Sequence, residues 1–285
     1  MANTTLINDD CLVAFNDIPD ESVDVIFADP PYNLQLGKCL TRPNGSKYAG
    51  VVKEWDKFSG FYEDDLFTHQ WLTKARRVLK PEGTLWVMGS YHNIHRIGNI
   101  LQDLEYWLLN DVVWIKSNPT PNFRGVRLTN AQENILWAQK SRDAKYTFNY
   151  QLLKALNGGK QLRSDWYLPI CAGKERLRDS SGKSIHSTQK PIDIVLRALL
   201  VSTRPNDTVL DPFSGTGTTG VAAKLLNRNF IGFERDAVYC KYASNRINNV
   251  ETIIESDDEI LEYLNGDHSN DRIARIVSAF RKKQG

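Results

Sequence analysis

At 285 residues, with 41% hydrophobic and 25% charged residues, the chain has the make-up of an ordinary soluble protein, long enough for one large α/β unit with insertions. Its four cysteines (Cys11, Cys39, Cys171, Cys240) include no C-x-x-C pair, which speaks against zinc and a disulfide framework and for reduced thiols in a cytoplasmic protein. The net charge of +2 looks too small for a polyanion partner until its distribution is read: Asp111 to Lys190 holds fourteen Lys and Arg against six Asp and Glu. A basic middle third is the footprint expected of phosphate contacts, and an ordinary solvated face is the alternative. There is no basic, apolar leader at the N-terminus, no run long enough to span a membrane, and no internal repeat.

In chain order, apolar runs predict strands at Thr5–Ile7, Val23–Ala28, Thr84–Met88, Trp107–Ile115, Asn134–Ala138, Thr208–Leu210 and Asn229–Phe233. Helical patterns fall between them, at Asp65–Leu79, His92–Leu104, Ile192–Thr203, Val221–Leu226 and Ala237–Asn248. Strands alternating with helices imply a doubly wound, mostly parallel α/β sheet covered on both faces, with ligands beyond the carboxyl ends of its strands. His92 and His95 are spaced like a metal pair, but no third ligand is near and no metal is expected.

Two strand ends carry chemistry. Val23–Ala28 stops at Asp29-Pro30-Pro31-Tyr32. An acid and a proline carbonyl can accept protons from an amino group, and an aromatic ring can stack on a flat heterocycle, as an enzyme modifying the amine of an extruded base requires. Alone, this could be a strand-ending turn. Downstream, Thr208-Val209-Leu210 leads into Asp211-Pro212-Phe213-Ser214-Gly215-Thr216-Gly217-Thr218-Thr219 and then a helix. Glycines between strand and helix let backbone approach a ligand, and Glu234, at the end of the next strand, suits two ribose hydroxyls. The turn is neither G-x-G-x-x-G nor a Walker loop, so a nucleoside without pyrophosphate, such as S-adenosylmethionine, fits better than NAD.

Together these motifs resemble the amino-methylating DNA methyltransferases in which the catalytic motif precedes the cofactor motif. Asn33–Leu36, Gly89–Ile94, Lys116–Pro119, Pro121-Asn122-Phe123, Tyr146–Tyr150, Arg163–Trp166 and Thr188-Gln189-Lys190-Pro191 are similar to the cell-cycle-regulated adenine methyltransferases and their restriction-modification relatives, which act on adenine in GANTC. The likeness runs from about residue 5 to about residue 250. It implies a Rossmann-like methyltransferase sheet of permuted motif order, a methyltransferase domain over 1–250 with DNA-recognition insertions at about 33–60 and 116–185, and a tail over 251–285.

By this resemblance Asp29, Pro30, Pro31 and Tyr32 are catalytic. Asp29, Asp211, Pro212, Phe213, Gly215, Thr216, Gly217, Thr218, Thr219 and Glu234 border the cofactor. Asp10 matches an acid that contacts the cofactor's adenine amine, although Asp9 stands before it where relatives often have glycine, and the pair could instead cap a helix beginning at Cys11. Lys190 would face the methionine end, or be a surface residue at a helix start. Leu36, Leu40, Arg42 and Trp55 lie in a long loop after the catalytic motif, where apolar side chains wedge into the gap left by an extracted base or else pack on the sheet. Between Lys116 and Arg127, Asn122 suits adenine edges, and Arg124 and Arg127 suit guanine edges or phosphate. Glu251 to Asp271 holds eight acids and no Lys or Arg, and a basic end follows. Longer relatives carry a further module there; here a solvated tail or a helix contacting a second copy in a homodimer is expected.

The expected activity is transfer of a methyl group from S-adenosylmethionine to N6 of adenine in double-stranded DNA. Cytosine N4 methylation is the nearest rival, usually with Ser at the place of Asp29. A non-catalytic nucleic-acid-binding protein on the same fold is the rival from another class.

Overall fold

Five of the six residues of Val23–Ala28 are buried, and from Val25 onward, past a register shift between Val23 and Val25, they alternate between two cores. Val25 and Phe27 pack on one face of a sheet with Trp86 and Met88, whereas Ile26 and Ala28 pack on the other with Leu85 and Val87. Side chains alternate across a strand, so a strand buried on both faces must be apolar throughout. The computed structural model describes residues 2–32 and 60–250, together with the backbone of residues 40–41 and 47–48. Leu36, Arg42 and Trp55, the side chain of Leu40 and the tail 251–285 lie outside the described residues.

The elements are β1 (Thr4–Ile7), α1 (Cys11–Ala14), β2 (Val23–Ala28), a short antiparallel pair β3 (Leu40–Thr41) and β4 (Lys47–Tyr48), α2 (Phe61–Val78), β5 (Leu79–Gly89), α3 (Ile94–Asp103), β6 (Trp107–Lys116), β7 (Gln132–Gln139), α4 (Tyr150–Leu156), β8 (Asp165–Leu168), α5 (Ile192–Ser202), β9 (Thr208–Asp211), α6 (Thr218–Leu225), β10 (Asn229–Phe233) and α7 (Ala237–Asn248). Eight strands form one sheet in the order β1-β10-β9-β2-β5-β7-β6-β8. All neighbours are parallel except β7, which runs antiparallel to β5 and β6. This is the doubly wound, Rossmann-like sheet expected. The strand ending in Asp-Pro-Pro-Tyr comes early in the chain, yet it lies directly beside β9, which carries the glycine turn.

Helix α2 buries Asp64, Thr68, Trp71, Leu72, Ala75 and Val78, a three-four spacing that makes one stripe against the sheet. It stops where Lys80 precedes Pro81, because a proline disfavours helical backbone in the residue before it. All eleven residues of α5 are buried, which explains its apolar sequence. Gly220 lets α6 sit close to its neighbours: a Cβ there would lie 2.3 Å from Ile247 Cδ1 and 2.7 Å from Phe230 Cε1.

Besides the short β3–β4 pair in the stretch read as a long loop, two elements go beyond the sequence expectations, and both fall in 116–185. In β8 only Trp166 and Leu168 point inward, too short an alternation to stand out; α4 buries Leu152, Leu153 and Leu156 directly after the Tyr146–Tyr150 stretch. With β7 also inside it, this segment belongs in large part to the sheet and its cover.

Candidate active site

The carboxyl ends of β1, β10, β9 and β2 stand side by side, in registers that pair Ile7 with Phe233, Gly232 with Asp211, and Leu210 with Ile26. Each of these strands ends in an acid or is followed closely by one: Asp10, Glu234, Asp211 and Asp29. All four line one cavity of about 910 Å³, together with Pro30, Pro31, Tyr32, Lys190, Pro212, Phe213, Gly215, Thr216, Thr218 and Thr219. Gly217 does not line it; with φ at +80° it turns the chain into α6, and a Cβ there would meet Ala243 Cα at 3.0 Å.

The glycine turn is held by its acids. Asp211 Oδ1 accepts a hydrogen bond from the Phe213 N–H at 2.9 Å, and Oδ2 accepts one from the Thr219 hydroxyl at 2.5 Å. Burial nevertheless pushes the Asp211 carboxyl up to about 7, with the charges of Asp29 and Glu234 adding to the effect. Glu234 accepts from the Gly215 N–H at 2.8 Å and the Asp236 N–H at 2.7 Å, which ties the end of β10 to the turn; burial raises its pKa despite these bonds. Arg246 of α7 donates to the Thr216 carbonyl at 3.3 Å and to the Thr218 hydroxyl at 3.0 Å. Asp10 caps α1 by accepting from the Leu12 N–H at 2.9 Å, so the capping role and a place at the cavity coexist.

At the other end of the cavity, Lys190 Nζ lies 3.0 Å from Asp29 Oδ2 and 3.8 Å from Glu133 Oε2. It also sits 4.6 Å from the centre of the Tyr32 ring, while the Tyr32 hydroxyl donates to Glu133 Oε2 at 3.0 Å. Asp29 Oδ1 is buried and accepts no hydrogen bond among the described residues. Burial raises the Asp29 pKa, and Lys190 only partly offsets this. Burial also disfavours the Lys190 ammonium, but Asp29 and Glu133 outweigh it and its pKa is raised. The Lys190 segment is anchored in turn: the Gln189 amide donates to the Glu175 carbonyl at 2.8 Å, and the Glu175 carboxylate accepts from the Ile192 N–H at 2.7 Å at the start of α5.

Residues 23–245 match the N6_N4_Mtase family of DNA methylases. The chain belongs to that family. M.HinfI, a type II methyltransferase of Haemophilus influenzae, is 51% identical over 247 residues, which are 87% of this chain and 69% of that protein. The crystal structure of the M1.HpyAVI–SAM complex superposes with a TM-score of 0.64 at 28% identity, covering 86% of this chain and 99% of that one. The PvuII DNA methyltransferase, cytosine-N4-specific, covers 98% of this chain and 94% of its own with a TM-score of 0.66; at 19% identity that likeness speaks for the fold alone.

The methylase uses S-adenosylmethionine as its donor, and the cavity fits it. Its volume suits a ligand of that size. Six carboxylates line it (Asp9, Asp10, Asp29, Asp211, Glu234, Asp236) against two cations, Lys190 and Arg235, a balance that suits a positively charged sulfonium. Phe213, held edge-on by Trp71 at 5.3 Å, and Val195 supply apolar wall, and Ser214 in the same wall has a buried hydroxyl with no partner among the described residues.

Among the sequence candidates for DNA contact, Asn122, Arg124 and Arg127 lie between β6 and β7. Asn122 Oδ1 accepts from the Arg124 N–H at 3.1 Å, and exposed Arg127 donates to the Tyr91 hydroxyl at 2.9 Å. β6 runs parallel to β8 and in the same sense as β2, so this loop rises from the edge that carries Asp29. Lys116, at its start, does not face outward with the basic stretch: its Nζ is 2.7 Å from Glu133 Oε1. Glu133 escaped sequence reasoning altogether. Its signal is a carboxylate inside a strand, in Gln132-Glu133-Asn134-Ile135-Leu136, but nothing local names Lys190 as its partner.

Proposed function

We propose that this methylase transfers the methyl group to N6 of adenine in double-stranded DNA, as a member of the group in which the catalytic motif precedes the cofactor motif, with GANTC as its target. The observation that carries the adenine reading is an aspartate at position 29, on the cavity wall, with one carboxylate oxygen paired to Lys190 and the other without a donor among the described residues. A buried acceptor without a donor is costly, and an exocyclic amine would satisfy it.

Adenine N6 is a weak nucleophile because its lone pair is delocalised into the ring. Asp29 Oδ1 accepts one N6 hydrogen and the Pro30 carbonyl the other, which draws the lone pair out of conjugation. Tyr32 stacks on the base and, with the rigid Pro30-Pro31 pair, fixes the angle of approach. The bound cofactor supplies an electrophilic methyl group, and the amine sheds its proton toward Asp29 or solvent. The turn from Asp211 to Thr219, with Asp10 and Glu234, holds the donor, and Lys190 serves Asp29 at the same site. Arg124, Arg127 and Asn122, together with Leu36, Leu40, Arg42 and Trp55 in the loop after Tyr32, contact DNA in this reading.

The GANTC assignment is supported by resemblance in stretches outside the shared catalytic core, Pro121-Asn122-Phe123 and Tyr146–Tyr150. Plasmid treated with enzyme and donor should resist a nuclease cutting GANTC and stay sensitive to one cutting GATC. Full cleavage at GANTC, alongside methyl transfer to adenine elsewhere, would refute the target and leave the chemistry. Because the cytosine-N4-specific PvuII enzyme shares the fold, nucleoside analysis of the product decides between N6-methyladenine and N4-methylcytosine.

A further inference from the structure

Four charged groups and one phenol meet beside the cavity from four separate parts of the chain. Asp29 and Tyr32 follow β2, Lys116 ends β6, Glu133 lies near the start of β7, and Lys190 precedes α5. The side chains of Lys116, Glu133 and Lys190 are each 11 to 12% exposed. Two lysines and two carboxylates balance in charge, yet the order of contacts is not symmetric. Among the carboxylates of the described residues Lys116 meets Glu133, at 2.7 Å, and its ammonium also lies 5.2 Å from the centre of the Trp114 ring; Glu133 meets Lys116, Lys190 and the Tyr32 hydroxyl; Lys190 bridges Glu133 and Asp29. Glu133 does not line the cavity, so it can influence chemistry only through its neighbours.

A buried network of this kind is a poor device for stability, since well-packed apolar residues of like volume do as well or better. It is an effective device for geometry. An ammonium on a four-carbon stem has many rotamers, and a carboxylate rotates about its last torsion. Anchored on Glu133, the Lys190 ammonium is held at Oδ2 of Asp29, which leaves Oδ1 as the oxygen free to accept. The same Glu133 oxygen fixes the Tyr32 hydroxyl and hence the plane of the ring. Lys116 neutralises Glu133, so its charge does not weigh fully on Asp29.

We infer that Glu133 is a positioning residue for methyl transfer: poised by Lys116, it acts through Lys190 and Tyr32 to orient the Asp29 carboxylate and the stacking ring. This rests on the reading of Asp29 as the carboxylate that receives the substrate amine. The groups acting on Asp29 are Lys190, Glu133, Tyr32 and, from β9, Asp211. Burial raises the Glu133 carboxyl, but Lys190 and Lys116 outweigh it and hold it below the ordinary range, so Glu133 stays ionised when the enzyme works.

The test compares wild type, Glu133→Gln and the double variant Glu133→Gln/Lys116→Met in single-turnover transfer of labelled methyl to duplex DNA, with thermal melting and donor affinity measured on each. Glutamine keeps the volume and an acceptor for Tyr32 but releases Lys190, so the transfer rate should fall about tenfold to a hundredfold, as a misplacement of about 1 Å does. Donor affinity should stay within about twofold. Glu133→Gln also leaves Lys116 unpaired and lowers the melting temperature, and the double variant removes that charge. Melting should therefore recover in the double variant while the transfer rate stays low.

Recovery of both would overturn the inference, reducing Glu133 to a counterion for Lys116. A wild-type rate in the single variant, or failure of both variants to fold, would overturn it equally. Nucleoside analysis of the wild-type product separates this from the adenine reading: if cytosine is the methylated base, that reading fails, and the three rates are compared on cytosine.

Discussion

Asp211→Asn should make the protein more stable at neutral pH, although it removes an acid from the glycine turn. The Asp211 carboxyl is pushed up to about 7 by burial, against an ordinary value near 4. A folded-state pKa above the unfolded one means that the native protein holds more protons between those values, so stability is lost as pH rises from about 4 to about 7 and stays lost above. A gap of about 3 units corresponds to roughly 4 kcal/mol, and the bonds from the Phe213 N–H and the Thr219 hydroxyl already moderate it. Asparagine keeps an acceptor for Phe213, offers Thr219 a donor in place of an acceptor, and does not ionise. Urea unfolding of both proteins at pH 5, 6 and 8 should show a difference in favour of the variant that widens by about 1.4 kcal/mol per unit up to pH 7 and then levels off. A difference that does not vary with pH would refute the argument, because it would show that Asp211 titrates alike in both states.

Asp29→Ala should abolish methyl transfer while leaving donor affinity within about threefold, read by calorimetric titration; transfer at the wild-type rate would remove Asp29 from the mechanism. Glu234→Ala should weaken donor binding and loosen the Gly215 turn it holds at 2.8 Å, with the same titration as the check. Gly220→Ala places a methyl 2.3 Å from Ile247 Cδ1 and against the Phe230 ring, so unfolding measurements should show a loss of about 1–3 kcal/mol without any change in product identity.

β2 and β9 were legible because each is an apolar run closed by an unmistakable stop: Val23–Ala28 by two prolines, and Thr208–Asp211 by Pro212 and the glycines. α7 was legible for a related reason, since Asp236 caps it by accepting from the Val238 and Tyr239 N–H groups. What did not show was whatever depends on partners far away in the chain. The strand order is not a local property, so neither apolar run by itself names the other as its neighbour, and the pairing of β2 with β9 shows in the structure. Lys116 read as part of a basic stretch because charge in a sequence carries no direction. Lys190 read as a donor contact or a helix-start residue; its pairing with Asp29 needs a chain that returns after 161 residues, and its pairing with Glu133 one that returns after 57.

The row of acids along the carboxyl ends of β1, β10, β9 and β2 also acts as a gate by sign of charge. Even with Asp211 close to half-protonated at pH 7, the cavity is electronegative, and a phosphodiester brought toward it is repelled. An uncharged base swung out of its helix meets no such barrier, nor does a cationic donor, which becomes one charge poorer once its methyl has left and is then held less firmly. Charge to hold a duplex would have to come from outside this rim; the middle third of the chain carries a surplus of eight positive charges, but two of its lysines are not available for that, Lys190 at the cavity and Lys116 against Glu133. Capture and chemistry would then work in fields of opposite sign. Added salt will loosen the first far more than it disturbs the second.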